Sequence, residues 1–138
     1  MDEEGLGIRL LQRLRAVWRL ALALVPLAIV PLILLYIFGF SARTTKEYAC
    51  ALDIVAQDEQ LIAITGEPVT PGLFAWTTYF ESEGGLRQGR FSTKLTGPDG
   101  KGTLIVEFYR TPVGASYGLW FKTGGQELEI YYGDYPCR

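Results

Sequence analysis

From Leu20 to Phe40 no residue is charged, and most positions hold Leu, Ile, Val, Ala or Phe. At ~1.5 Å per residue, this run forms about 31 Å of helix, close to the hydrocarbon thickness of a bilayer. Pro26 and Pro31 would break such a helix in water but only kink it in lipid, where backbone groups have no competing water. Beyond the run the period of the pattern changes. Thr44-x-x-Glu47 reads as a capping box, and Tyr48, Ala51, Leu52 and Val55 recur behind it at helical spacing. A second short helix is predicted from Asp58 to Ile64, ending at Gly66, with Glu67-Pro68 turning the chain extended.

The remaining residues alternate. Phe74, Trp76 and Phe80 lie two or four apart, and Phe91, Thr93 and Leu95 alternate, as do Leu104, Val106 and Phe108. Tyr117, Leu119 and Phe121 repeat the pattern, and Leu128, Ile130 and Tyr132 finish it. Turn chemistry separates these runs at Glu83-Gly84-Gly85, Gly97-Pro98-Asp99-Gly100, Thr111-Pro112-Val113-Gly114 and Gly124-Gly125. Short links imply sequential antiparallel pairing, and the apolar face of such a meander needs a cover. The preceding helix supplies one. The predicted fold class is therefore α+β: one N-terminal transmembrane helix, then a helix packed on a five-stranded antiparallel sheet.

The second sheet face is mixed and holds Glu107, Tyr109, Trp120, Lys122 and Tyr131. Tyr109, Trp120, Lys122 and Tyr131 form the candidate partner surface. The rival reading packs Trp120 and its neighbours beneath the helix, because a one-residue register error exchanges the faces. The pattern leaves both open.

A cleaved signal peptide is the alternative to an anchor. Its apolar core would be shorter, ~7–15 residues, and would end in a small-x-small site that Ser41-Ala42-Arg43-Thr44 matches poorly. An uncleaved span is the better reading. Arg9, Arg13, Arg15 and Arg19 precede it, against Arg43 and Lys46 beyond it, which puts the N-terminus in the cytoplasm by the positive-inside rule. Residues 6–19 also carry Leu10, Leu14 and Val17 on one side, with Arg9 and Arg13 beside them. Arginines snorkelling to phosphate explain this more simply than a partner-binding helix does. The expected organisation is a cytoplasmic basic amphipathic segment at 1–19, a transmembrane helix at 20–40 and an extracytoplasmic α+β domain at 44–138. Asp2, Glu3 and Glu4 argue for the inner (cytoplasmic) membrane of a bacterium, with a periplasmic domain, over the mitochondrial inner membrane.

Past residue 40 the chain carries nine basic and twelve acidic residues with signs interspersed, a solvated surface that argues against nucleic acid. The chain's two cysteines, Cys50 and Cys137, lie near the ends of the predicted domain. On the oxidising side of a membrane such a pair is most simply a disulfide. A redox pair is usually close in sequence, and a copper site usually recruits His or Met. The chain has no His, and its one Met is Met1.

Without His the commonest general base is missing. The pairs Glu81/Glu83 and Glu127/Glu129 read as solvated strand-end charges, and Gly97 to Gly102 joins strand to strand, where a phosphate loop needs a following helix. No enzyme and no cofactor are expected.

The order of features carries a resemblance. A span is followed by Ala51-Leu52-Asp53-Ile54-Val55, Gly66-Glu67-Pro68-Val69, Phe91 through Leu95, Gly97-Pro98-Asp99-Gly100-Lys101-Gly102 and Gly118-Leu119-Trp120-Phe121. Over residues 47–133 this layout resembles the cytochrome oxidase complex assembly protein 1 family. The resemblance implies a non-enzymatic assembly factor or accessory subunit of a respiratory membrane complex. Its partners would be other integral membrane subunits, met at the surface of the lipid bilayer. The alternative is a single-span extracytoplasmic ligand-binding or sensing module, which the sequence supports less.

Overall fold

The computed structural model describes residues 3–137, and side chains from residue 7. Met1 and Asp2 of the predicted N-terminal segment, and Arg138 of the predicted domain, lie outside the described residues. The chain divides into two compact units, one up to Leu35 and one from Tyr36 onward.

The first unit is helix. α1 (Glu3–Gly39) runs through Pro26 and Pro31, so the predicted amphipathic segment and the predicted span form one element. Its candidate span, which reaches a mean hydropathy of 2.7 over its most apolar 18 residues, is Gly7–Gly39 and counts 33 residues. That is about 50 Å of helix, more than the ~30 Å of hydrocarbon a bilayer offers. Leu, Ile, Val and Trp side chains are exposed along it, a surface that lipid satisfies and water does not. Among the described residues there is one candidate span, and a sheet domain follows it, an architecture that fits a single-pass membrane protein.

The second unit begins with the last turn of α1. A 3-10 turn (Ser41–Thr44) follows, then α2 (Lys46–Val55) and α3 (Glu59–Thr65). Five strands complete it: β1 (Thr70–Glu83), β2 (Leu86–Thr96), β3 (Lys101–Thr111), β4 (Gly114–Thr123) and β5 (Gln126–Gly133). They pair antiparallel in sequence order, so the α+β meander read from the alternation is the observed fold.

The predicted capping box is displaced by one residue. Thr44 belongs to the 3-10 turn, where its Oγ1 donates to the Ser41 carbonyl at 2.7 Å. Thr45 has the extended backbone an N-cap needs, and its Oγ1 accepts from the Tyr48 N–H at 3.2 Å. Glu47 is thereby released from capping and turns inward. Asp58 caps α3 through a 2.8 Å bond from the Leu61 N–H.

The core lies on one sheet face. Phe91, Thr93, Leu95, Leu104, Val106, Phe108, Tyr117, Leu119 and Phe121 are buried there together with Tyr48, Ala51, Val55 and Leu61 from the helices. The turn at residues 97–100 docks on the end of α3, where the Asp99 N–H donates to the Thr65 carbonyl at 2.8 Å. A Cβ on Gly97 would stand 2.1 Å from that carbonyl oxygen, and backbone cannot yield as a side chain can. Gly97→Ala is expected to cost about 1–3 kcal/mol, read as a lowered denaturation midpoint with an unchanged denaturant slope.

Candidate functional site

Strand register decides which side chains reach the face opposite the helices. One cross-strand row there runs Trp76, Ser92, Ile105, Trp120 and Glu129; the next runs Tyr79, Arg90, Glu107, Gly118 and Tyr132. Tyr109 sits in a third row, between Gln88 and Ser116, and Lys122 in a fourth, between Thr103 and Glu127. Of the four residues predicted to share this surface, Tyr109, Trp120 and Lys122 do so.

Tyr131 does not. Trp120 pairs with Glu129 but Leu119 pairs with Tyr131, so Ile130 is an extra residue in β5 and parity reverses after it. Tyr131 therefore packs over the core face, 6.3 Å from the ring of Tyr117, and donates to the Asp134 carbonyl. Tyr132 takes its place on the outer face, its ring 6.2 Å from that of Trp120. A similar bulge at Thr78 separates Trp76 from Phe80, which the spacing had placed in one series. Trp76 pairs with Ser92 outside, whereas Phe80 pairs with Gly89 inside, 6.3 Å from Phe108.

The outer face is aromatic and open. Trp76, Tyr79, Tyr109 and Tyr132 are 48%, 42%, 47% and 66% exposed, whereas Ile105 among them is only 8% exposed. The Trp120 ring lies over Gly118, where a Cβ would meet it at 2.2 Å. The rings of Tyr79, Tyr109, Trp120 and Tyr132 surround a shallow cavity of about 110 Å³ with Gln88, Glu107 and Ser116 in its wall. Ion pairs flank it, Arg90–Glu107 at 3.5 Å and Lys122–Glu127 at 2.9 Å, each half-exposed and so of small energetic weight. Gly118→Val is expected to lift the Trp120 ring off the sheet and to shift tryptophan emission to longer wavelength. An unchanged spectrum would mean that glycine is not what seats the ring.

A second polar constellation lies under α2, and the sequence reading missed it. Glu47 is 3% exposed and accepts from Arg87 Nε at 2.8 Å and from Nη2 at 3.0 Å, a bidentate pair. Burial pushes its carboxyl up, but the Arg87 hydrogen bond, a backbone hydrogen bond and the charges of Arg87 and Arg110 outweigh that and hold it below its usual value. The Tyr117 hydroxyl donates to the Glu47 carbonyl at 2.5 Å, and burial raises that phenol above its ordinary range. Two signals could have revealed the pair. Glu47 stands four and eight residues before Ala51 and Val55, on the apolar stripe, and Arg87 shares strand parity with Phe91, Thr93 and Leu95.

Cys50 of α2 and Cys137 are joined by a disulfide. The bridge holds Tyr135 edge-on against Tyr117, with ring centroids 5.3 Å apart. Among the described residues no three His, Cys, Asp or Glu side chains come together in a way that would hold a metal. No protein-family model, curated protein or solved structure matches this chain.

Proposed function

We propose that the protein is a non-enzymatic, membrane-anchored assembly factor or accessory subunit of a respiratory, cytochrome oxidase-like membrane complex, acting by protein–protein contact. The observation that carries this reading is the exposed aromatic face of the sheet. Trp and Tyr are the residues that dominate binding at protein interfaces, and here Tyr79, Tyr109 and Tyr132 stand open around a partly seated Trp120. The domain that bears them starts without a linker. Gly39, in the last turn of α1, is packed against the rings of Phe74 and Trp76, where a Cβ would stand 3.1–3.2 Å from them. Partners embedded in the same membrane are thereby favoured over soluble ones.

The resemblance in motif order to the cytochrome oxidase complex assembly protein 1 family supplies the class of complex. The four arginines before the apolar run argue for a cytoplasmic N-terminus, and the disulfide for a domain on the oxidising side of the inner membrane. The cavity of about 110 Å³ on this face is well below the usual range of small-ligand sites, which weighs against a small ligand sensed there.

Affinity purification of the full chain in mild detergent, followed by mass spectrometry, tests the proposal. Stoichiometric recovery of respiratory subunits is the expected result, and a solitary protein whose melting shifts with a small ligand would refute it. Tyr109→Ala combined with Tyr132→Ala is expected to cut that recovery at least tenfold while moving the melting temperature little, since both rings are about half-exposed or more.

A further inference from the structure

A groove of about 310 Å³ opens beside the last turn of α1. Its walls are Ile37 and Phe38 from that turn, Ala42 from the 3-10 turn, and Phe80, Phe91 and Phe108 from the sheet, all within the second unit. The polar groups at its margin are largely spent on the chain itself. Ser41 Oγ donates to the Ile37 carbonyl, and Thr45 Oγ1 donates to the Ala42 carbonyl and caps α2. Thr77 also lines the groove, and its Oγ1 is buried with no partner in the protein.

We infer that this groove takes one acyl chain of a bilayer phospholipid. Ile37 and Phe38 belong both to the groove and to the apolar stretch Gly7–Gly39, and both are half-exposed. The groove wall is thus continuous with the surface that lipid covers, and a tail enters it without crossing water. An acyl chain is apolar along its length, as the walls of the groove are. Its transfer into a site lined by three phenylalanines follows buried apolar area, as for any lipid tail.

The inference rests on the single-pass reading but not on the identity of any partner. The full chain is placed in phospholipid nanodiscs containing a phosphatidylcholine with a diazirine in one acyl chain, irradiated and mapped by peptide. Label is expected on α1 and, in addition, on β1 near Thr77–Phe80. Ala42→Trp fills the groove and Phe80→Lys charges its mouth; each is expected to cut the β1 label at least tenfold and leave the α1 label unchanged. If Ala42→Trp fails to fold, Phe80→Lys decides, because that side chain is already half-exposed. Label confined to α1, or β1 label indifferent to both variants, overturns the assignment. So does β1 label that appears only after a co-purifying protein is stripped away, since the groove then belongs to that protein. Label on α1 establishes the span whether or not lipid enters the groove, and subunit recovery in the purification depends on neither.

Discussion

Cys50→Ser in the detergent-solubilised full chain lowers the melting temperature of the sheet domain by roughly 20–30 °C, and Cys137→Ser does the same. The expectation follows from chain entropy. The bridge joins residues 87 apart in sequence, and closing a loop of that size removes about 4.5 kcal/mol of unfolded-state freedom. A domain of this size shifts by ~4–8 °C for each kcal/mol. The bridge also has a native-state role, because it holds the tail that lays Tyr135 against the buried ring of Tyr117. Reducing the wild-type protein should reproduce the drop, whereas the serine variants should no longer respond to reductant. A shift under 5 °C would show that α2 and the tail stay docked without the covalent tie.

Arg87→Ala gives the second large effect, a loss of about 3 kcal/mol, by removing the partner of a carboxylate that is 3% exposed. Part of the loss is packing, since the guanidinium lies 5.1 Å from the centre of the Phe80 ring and 5.9 Å from that of Phe108. The Arg87 side chain is one-third exposed, which keeps the figure at the low end of what breaking a buried pair costs. Replacing both partners together, Glu47→Leu with Arg87→Met, should recover most of the loss, because no buried charge is then left unpaired. A double variant as unstable as Arg87→Ala would mean the pair does more than neutralise itself.

The same pair sets an acid limb. The folded-state carboxyl of Glu47 titrates below the unfolded one, so its contribution is fully present above the unfolded value, ~4.3, and is lost as pH falls through the folded value. Urea midpoints measured between neutral pH and about pH 3 should therefore fall in wild type, and fall less steeply in Glu47→Gln.

Much of this architecture could be read from the one-dimensional pattern, for physical reasons. A helix in lipid needs an unbroken apolar run, and Leu20 to Phe40 supplies one. A half-buried strand needs alternation, and nine core positions from Phe91 to Phe121 fall where alternation puts them. Sequential pairing followed from turns too short for any other connection. Parity misleads wherever a strand holds one residue more than its neighbour. The extra residues at Thr78 and Ile130 exchange faces for everything beyond them, which leaves Trp76 on the open face while Phe80 takes the core side, and replaces Tyr131 by Tyr132 on the open face.

The apolar span, the class of the fold and the cysteine pair are legible in the one-dimensional pattern. Each rests on a local period or on a count of residues, and neither needs to know what lies across the chain. Only the tertiary structure decided which sheet face carries the helices, that Glu47 meets Arg87 forty residues away, and that the foot of α1 walls a groove with β1 to β3. These depend on register and on contacts between distant segments, where a single inserted residue reverses a side chain's direction and no local pattern records it.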